Sequence, residues 1–481
     1  MQMRLEPFTK SELEEIHGAT IRVFEKTGVR VLDPEAVTLL VDAGGSLDKK
    51  TSVVRIPEGT LKECLSKAPR RFKLHSRDGK HCMAFGEGNV YLSSMGTAVQ
   101  VEDLDGKVRP STSKDAENFF KLTDALPHID HSSWVCWPRD VPDEIAHLEE
   151  IFLAFKNSTK STDGWNLTTK QSQDSLDLAA IVAGGRDALK EKPLLLGFSN
   201  PVSPLTLSKD ATQGLIVYAR GGQPCVYPPE CMAGGTSPAS LAGLLVQQNV
   251  EVLASVAVAQ CAAPGSPSIY SSVSSIMDMR TGSIALGAPE ACLVMCGSAQ
   301  LARYYGIPSR GTGGNTESMT VDYQAGIESA NTLIVAALAG FDIVYDAAGS
   351  IESSLTASYA KLVIDNEVCG EVKRVLSGID VSEETMATDV MDVVGSTGTF
   401  LMQPHTLRTY RKEHFAPALL WRGSRSAWKS SQERSINARA IAKCREILNE
   451  HEVDPPLDPA IERELRMFVK SKRKSVRSRS S

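Results

Sequence analysis

The chain is 481 residues long, 42% hydrophobic and 23% charged, a globular balance that excludes disordered, collagen-like and coiled-coil classes and leaves ample length for a buried core. Its 52 Lys and Arg against 58 Asp and Glu give a net charge of −6, the wrong sign for holding a duplex, so no nucleic-acid partner is expected. The opening stretch MQMRLEPFTKSELEEIHG carries acidic residues where a secretory signal has its apolar segment, and the longest apolar run, Leu333 to Gly340, is too short to cross a bilayer. The expectation is a cytoplasmic protein with no membrane partner. Ten cysteines without a CxxC pair, Cys64, Cys136, Cys261 and Cys369 among them in apolar surroundings, fit small buried thiols rather than zinc ligands.

Ser11 followed by Glu14 has the spacing of a capping box, and Leu13, Ile16, Ile21 and Phe24 supply an apolar face before Gly28 ends the helix. A second helix is predicted from Asp33-Pro34 to Gly44-Gly45. Arg77-Asp78-Gly79 and Gly86-Glu87-Gly88-Asn89, each between short strand-like runs, read as hairpins, which makes residues 1–88 an N-terminal α/β cap. From 89 to 377, short β-branched or aromatic runs alternate with amphipathic stretches. Strands are predicted near 89–94, 132–137, 159–165, 193–199, 223–229, 267–273, 307–312 and 342–346, and the helices that follow include 115–125, 143–156, 208–220, 239–261, 289–305, 323–339 and 358–373. Eight successive βα units fit a closed (β/α)8 TIM barrel better than an open doubly wound sheet. Residues 378–481 read as a C-terminal helical extension. Its basic end, Ser471 to Ser481, is either a frayed solvated tail or an arm for an acidic partner.

In such a barrel the chemistry lies at the C-terminal ends of the strands. Trp137, Trp165, Phe198, Tyr227, Tyr270 and Tyr345 fall at or near the ends of six different predicted strands. They either wall one chamber or pack as barrel core. Aromatic faces beside carboxylates suit a methylated ammonium, which has no N–H to donate and is held at about 0.5–2 kcal/mol per good ring. Asp163, Asn200, Glu230, Asn315, Glu317 and Asp346 stand just after strands, as site residues or as helix caps. Arg310-Gly-Thr-Gly-Gly-Asn-Thr-Glu317 follows a strand and precedes a helix but lacks the GxGxxG spacing and any GKS or GKT. Its glycines read as bringing backbone close to a ligand, and Arg310 either clamps a carboxylate or forms a surface salt bridge. No GxSxG, HExxH, repeated Cys/His spacing or EF-hand loop occurs, so no tightly bound metal is expected. His405 stands alone, reaching a site or a partner or merely packing.

Met95-Gly-Thr-Ala98 through Val101-Glu-Asp-Leu-Asp-Gly-Lys-Val-Arg-Pro110 and Leu122-Thr-Asp-Ala-Leu-Pro127 resemble the opening barrel segment of the trimethylamine methyltransferase (MttB) superfamily. Ala336-Ala-Leu-Ala-Gly340, Leu362-Val-Ile-Asp-Asn-Glu367, Gln403-Pro-His-Thr-Leu407 and Arg411-Lys-Glu-His-Phe415 are similar to its second half, so the likeness covers nearly the whole chain. The resemblance implies a corrinoid-dependent methyltransferase that moves a methyl group from an amine to the cobalt of a separate corrinoid protein. No Asp-x-His-x-x-Gly cobalt-ligand motif occurs here, so the corrinoid (cobalamin) is expected on a partner.

The archaeal trimethylamine enzymes carry pyrrolysine in the stretch that resembles Thr320 to Gly326. This chain has standard residues there, with Tyr323 nearest the equivalent position. Relatives without pyrrolysine are expected to use quaternary amines such as glycine betaine, proline betaine or carnitine. A quaternary ammonium already has a neutral amine as leaving group, so the protein needs to position it and exclude water rather than supply a nucleophile. The betaine-specific relatives place a histidine near the end of the last barrel strand, where this chain has Tyr345, which leaves glycine betaine itself open. The substrate-binding set is therefore Trp137, Trp165, Phe198, Tyr227, Glu230, Tyr270, Arg310, Asn315, Glu317, Tyr323 and Tyr345. A non-catalytic quaternary-amine binder and a TIM-barrel lyase or aldolase are the competing readings, and a homo-oligomer is expected from size.

Overall fold

The computed structural model describes residues 4–165, 168–431 and 435–480, with side chains placed as far as 476. Eight parallel strands close into a barrel: β1 (Tyr91–Ser94), β2 (His131–Ser132), β3 (Ser161–Trp165), β4 (Leu195–Phe198), β5 (Cys225–Tyr227), β6 (Ser268–Ser271), β7 (Ser309–Thr312) and β8 (Ile343–Ala348). Each neighbours the next in sequence, and β8 returns to β1 with Ile343 opposite Tyr91 and Val344 opposite Leu92. All eight overlap the predicted strands. β2 is the shortest and ends at Ser132, five residues before its predicted end.

The outer helices are α1 (Ser113–Ala125), α2 (Asp143–Asn157), α3 (Thr169–Ala183), α4 (Lys209–Arg220), α5 (Leu241–Ala262), α6 (Pro289–Tyr305), α7 (Tyr323–Ala339) and α8 (Tyr359–Leu376). α5 is long and apolar enough to cross a membrane by composition, which the run-length reading missed, yet most of it is buried. Its outer side is covered by the N-terminal helices Lys10–Lys26, Pro34–Asp42 and Glu58–Lys67. A barrel helix roofed in this way has no solvent face and needs no polar stripe.

The first helix is capped by Thr9, whose side chain accepts from Glu12 N while the Glu12 carboxylate answers the cap backbone. The capping box is therefore Thr9–Glu12, one pair earlier than Ser11–Glu14. Gly28, at φ 75°, ends that helix as expected. Phe72–His75 and Cys82–Phe85 form the hairpin around Arg77-Asp78-Gly79. Gly86 to Asn89 make no hairpin. They lead into β1, with Gly86 N donating to Asp342 Oδ1 at 2.5 Å.

That hairpin plugs the barrel floor: Leu74, Met83 and Phe85 pack on Leu196, Val226, Ile269 and Ile343. At the carboxyl side of the chain, Ile436–Glu450 lies along α8 and α1, and Pro459–Ser480 lies across α2 and α3. The described part of the basic end is helical, and Lys472 Nζ meets Asp174 Oδ1 at 2.6 Å, so it is not a frayed tail; Ser481 lies outside the described residues.

Candidate active site at the barrel mouth

A cavity of about 390 Å³ opens at the C-terminal ends of the strands. Alternation along each strand decides which side chains reach it. On β3, Asp163 and Trp165 point inward; on β4, Phe198 does; on β7 and β8, Arg310 and Tyr345 do. Asp163 is a hub: it accepts from Ser133 Oγ and Tyr345 Oη, each at 2.5 Å, and lies 2.8 Å from His131 Nε2. Burial, reinforced by Asp163, holds the Tyr345 hydroxyl well above the ordinary phenol range, so it stays a donor.

The Arg310 guanidinium stacks over the Tyr345 ring at 4.5 Å and near the Phe198 ring at 5.7 Å. Nη1 donates to Ser272 O at 3.2 Å, whereas the buried Nε has no partner among the described residues. Burial pulls the guanidinium below its usual range, and Asp346, Tyr345, Asp163 and Glu230 pull it back. Glu230 is exposed at the cavity lining, yet enough protein surrounds it for lost solvation to raise its carboxyl above the usual range. Arg310 and the Asn200 Nδ2 donor at 3.1 Å oppose that rise.

Asp346 sits where the β8–β1 register slips between Val344 and Ala348, at φ 58°. Such a bulge re-aims a side chain at some cost in backbone strain. Its carboxylate accepts from Thr312 Oγ1 at 2.7 Å. Glu352, Ser353 and Ser354 are also left-handed, at φ 55°, 49° and 69°. They are held by Glu352 N donating to Ser318 O and Ser353 N donating to Thr316 O, each at 2.8 Å, which fixes Ser353 and Ser354 in the cavity wall.

The aromatic wall is built on Trp134 and Trp165, centroids 4.8 Å apart. Trp165 Nε1 donates to Glu150 Oε2 at 3.1 Å, and full burial keeps that carboxyl well above its usual range. Trp134 Nε1 is buried without a partner among the described residues.

Of the predicted set, Trp165, Phe198, Glu230, Arg310 and Tyr345 line the cavity, together with Asp163, Asn200 and Asp346. Trp137 stands behind the wall, edge-on to Trp165 at 5.3 Å, with its Nε1 on Asp143. Tyr227 and Tyr270 point outward from β5 and β6, opposite each other in the ladder; their hydroxyls meet Ser268 Oγ at the start of β6 and Asn249 Oδ1 on α5. Each stands one position after the inward Val226 or Ile269, so strand parity removes both from the chamber.

Asn315 sits behind Asp346, joined to Thr312 and Ser354, and Glu317 accepts from Gly287 N at 2.9 Å; neither lines the cavity or caps a helix. Tyr323 opens α7 and is 92% exposed, outside the site. Arg310 is buried and makes no ion pair within 4.0 Å among the described residues, so it is not a surface bridge. The glycines after it serve packing rather than a ligand. A Cβ on Gly311 would stand 2.3 Å from the Phe341 ring, and one on Gly314, at φ 83°, would stand 2.4 Å from Asp346 O.

Sequence reading missed Trp134, Ser133 and His131 because it ran β2 on to Trp137. The early end of β2 puts Trp134 at the strand's lip instead. Gly96 and Thr97, which also line the cavity, belong to a motif noted only for its familiarity. Among the described residues no group of three or more His, Cys, Asp or Glu is arranged to hold a metal ion.

Fold and site together define a closed (β/α)8 barrel enzyme with a small acidic chamber, walled by aromatic rings, at its mouth. The chain belongs to the trimethylamine methyltransferase (MTTB) family, whose model matches residues 2–477, and it is a methyltransferase. It is 36% identical to a glycine betaine methyltransferase of Desulfitobacterium hafniense over 97% of each chain. It is 35% identical to the trimethylamine methyltransferase MttB of Methanosarcina thermophila over 94% of this chain and 95% of that one. The monomethylamine methyltransferase MtmB of Methanosarcina barkeri shares the fold, with a TM-score of 0.55 and 12% identity over 93% of this chain and 88% of its own.

Proposed function

We propose that this methyltransferase takes its methyl group from a quaternary, betaine-type trimethylammonium compound and delivers it, in the cytoplasm, to a corrinoid carried by a separate protein. The observation that carries this reading is the composition of the cavity. Three carboxylates, Asp163, Glu230 and Asp346, and one guanidinium share the lining with the rings of Trp134, Trp165 and Phe198. An excess of negative charge beside aromatic faces favours a cation that cannot donate a hydrogen bond.

Arg310 supplies the second half of the match. Its orphaned Nε–H, buried at the cavity wall, suits the carboxylate of an acidic quaternary amine. The residues lining the cavity include no lysine, cysteine or histidine, and Ser133 spends its hydroxyl proton on Asp163. The chain's own work is then to bind the cation, aim one methyl outward through the mouth and shield it from water. The reduced corrinoid supplies the attacking metal centre from the partner. A volume near the small end of the usual ligand-pocket range suits a substrate of this size.

The test is a thermal-shift series with glycine betaine, proline betaine, carnitine and trimethylamine, followed by methyl transfer to a reduced corrinoid protein. A true ligand at 100 times its Kd stabilises the fold by about 2.7 kcal/mol. Stabilisation by a betaine together with turnover supports the reading. Stabilisation without turnover, with reduced corrinoid protein supplied, makes the chain a binding module, and stabilisation by trimethylamine alone overturns the substrate class.

A further inference from the structure

The N-terminal cap meets the barrel along α5, and at one end of that seam two thiols face each other. Cys64 stands in the last turn of the cap helix Glu58–Lys67 and Cys261 in the last turn of α5, 197 residues further along the chain. Their sulfurs are 3.8 Å apart and hydrogen-bonded, and neither belongs to a disulfide. A disulfide is about 2.05 Å long, so the sulfurs need to close by less than about 2 Å to bond. Cys64 is 3% exposed within the apolar cluster that joins the two helices, whereas Cys261 is half-buried and open to small solutes.

The two thiols are not equivalent. Cys64, donating to its partner and buried, is held well above the ordinary thiol range. The same hydrogen bond, helped by the Lys67 ammonium, outweighs burial and holds Cys261 below it. Lys67 follows Cys64 by three residues and is fixed with its Nζ 2.6 Å from Glu63 Oε1. The sulfur that ionises more readily is therefore the accessible one, the arrangement of an attacking thiol beside a resolving thiol. A structural zinc takes four ligands, and among the described residues no third His, Cys, Asp or Glu completes a metal-holding group with this pair. The chemistry open to the two sulfurs is oxidation.

We infer that Cys64 and Cys261 form a dithiol that a hydroperoxide oxidises to a disulfide, bonding the N-terminal cap to α5. In the first step the Cys261 thiolate attacks one peroxide oxygen. An S–O bond forms, the O–O bond breaks, and the departing oxygen takes a proton from solvent, leaving a sulfenic acid. In the second step Cys64 sulfur attacks Cys261 sulfur. The S–S bond forms, the S–O bond breaks, and the Cys64 proton leaves with the hydroxide as water. The two thiols lose two electrons, and the peroxide oxygens gain them. A small thiol reverses the bond by exchange. Because α5 runs back from the mouth, Cys261 stands at the floor end, and neither cysteine lines the chamber. The bond closes a long loop, which restricts the unfolded chain and stabilises the fold.

The test uses the reduced full chain, treated with a few equivalents of hydrogen peroxide and then blocked with iodoacetamide. Peptide mapping without reductant is expected to show a Cys64–Cys261 link. It should form roughly tenfold or more faster than Cys82 oxidises, since Cys82 is more exposed but its thiol is held above the usual range by burial. The linked chain should melt at a higher temperature than the reduced one and return to the reduced value with dithiothreitol. In Cys64→Ala, Cys261 should stop at a sulfenic acid that dimedone traps, and peroxide should no longer raise the melting temperature. In Cys261→Ser, Cys64 should stay free. The wild-type mapping and melt need no variant, so a folding defect in either substitution leaves the test intact, and no readout depends on which amine the chamber takes. Both thiols still free when Cys82 is oxidised, a Cys261 sulfinic acid beside a free Cys64, or a link that brings no rise in melting temperature would each overturn the inference.

Discussion

The two ends of the barrel are built on the same eight strands and treat their interiors in opposite ways. At the floor, Leu196, Val226, Ile269 and Ile343 meet Leu74, Met83 and Phe85, with Phe85 stacked on Phe72 at 4.9 Å. Those side chains form one buried apolar cluster, and the polar pair His131 and Ser161 lies buried on strands of the same barrel. At the mouth the same inward rows continue as Asp163, Phe198, Arg310 and Tyr345, with left-handed backbone at Asp346 and at 352–354 and with Trp134 Nε1 and Arg310 Nε unpartnered among the described residues. Stability is concentrated where the interior is dry and close-packed, and the polar, strained mouth depends on it.

The sharpest break in that contrast is Phe85→Ala, which opens a hole in the floor. Unfolding by urea should show a loss of about 3–5 kcal/mol, while the protein that remains folded keeps its KM. His147 marks a third region, the seam of α2 and α3 with the C-terminal helix. It is fully buried with both ring nitrogens unpartnered among the described residues, and burial pulls its pKa down to about 4. The unfolded chain takes up a proton that the native ring refuses, so this contribution is complete above about pH 6.5 and falls away as pH drops towards 4. The loss is on the order of 3 kcal/mol and is absent in His147→Leu.

At the mouth, Arg310→Ala should raise KM for an acidic quaternary amine by roughly 10- to 150-fold, the worth of a charged hydrogen bond. kcat should change far less, because the contact is made equally in the ground and transition states. An equal fall in kcat and kcat/KM, with KM unchanged, would instead place Arg310 at the reacting methyl. Glu230, with its raised pKa, gives a smaller effect. A substrate of fixed positive charge binds the ionised form, so affinity should fall as pH is lowered through that pKa. The expected loss is roughly 1 kcal/mol, near the Coulomb attraction of two charges at about 4 Å in a watery site. Glu230→Gln should flatten the profile. Tyr323→Ala, at the exposed start of α7, should move stability by less than about 0.5 kcal/mol and leave KM unchanged.

Much of the fold was legible because each βα unit declares itself locally. The strand runs at 195–198, 268–271 and 343–348 each hold an apolar or aromatic core in Leu195-Leu196, Ile269-Tyr270 and Ile343-Val344-Tyr345, and α6 and α7 carry their start signals in plain view at Pro289 and Asp322. The chamber was legible only in part. Trp165, Phe198, Glu230, Arg310 and Tyr345 stand where the strand ends predict, but Tyr227 and Tyr270 fail by a single residue of register. Trp134 was hidden by a two-residue β2. Parity inside a barrel is set by closure, and one step along a strand turns a side chain from the chamber to the helices.

By itself the sequence determined the order and kind of the elements, the excess of acid over base and the family likeness, since these rest on local periodicity and on residue identity. Only the tertiary structure decided which rings share a wall and that Arg310 is buried against Tyr345 rather than bridged at the surface. Those facts depend on how eight separate strand ends are brought round to face one another, and no single segment carries that information.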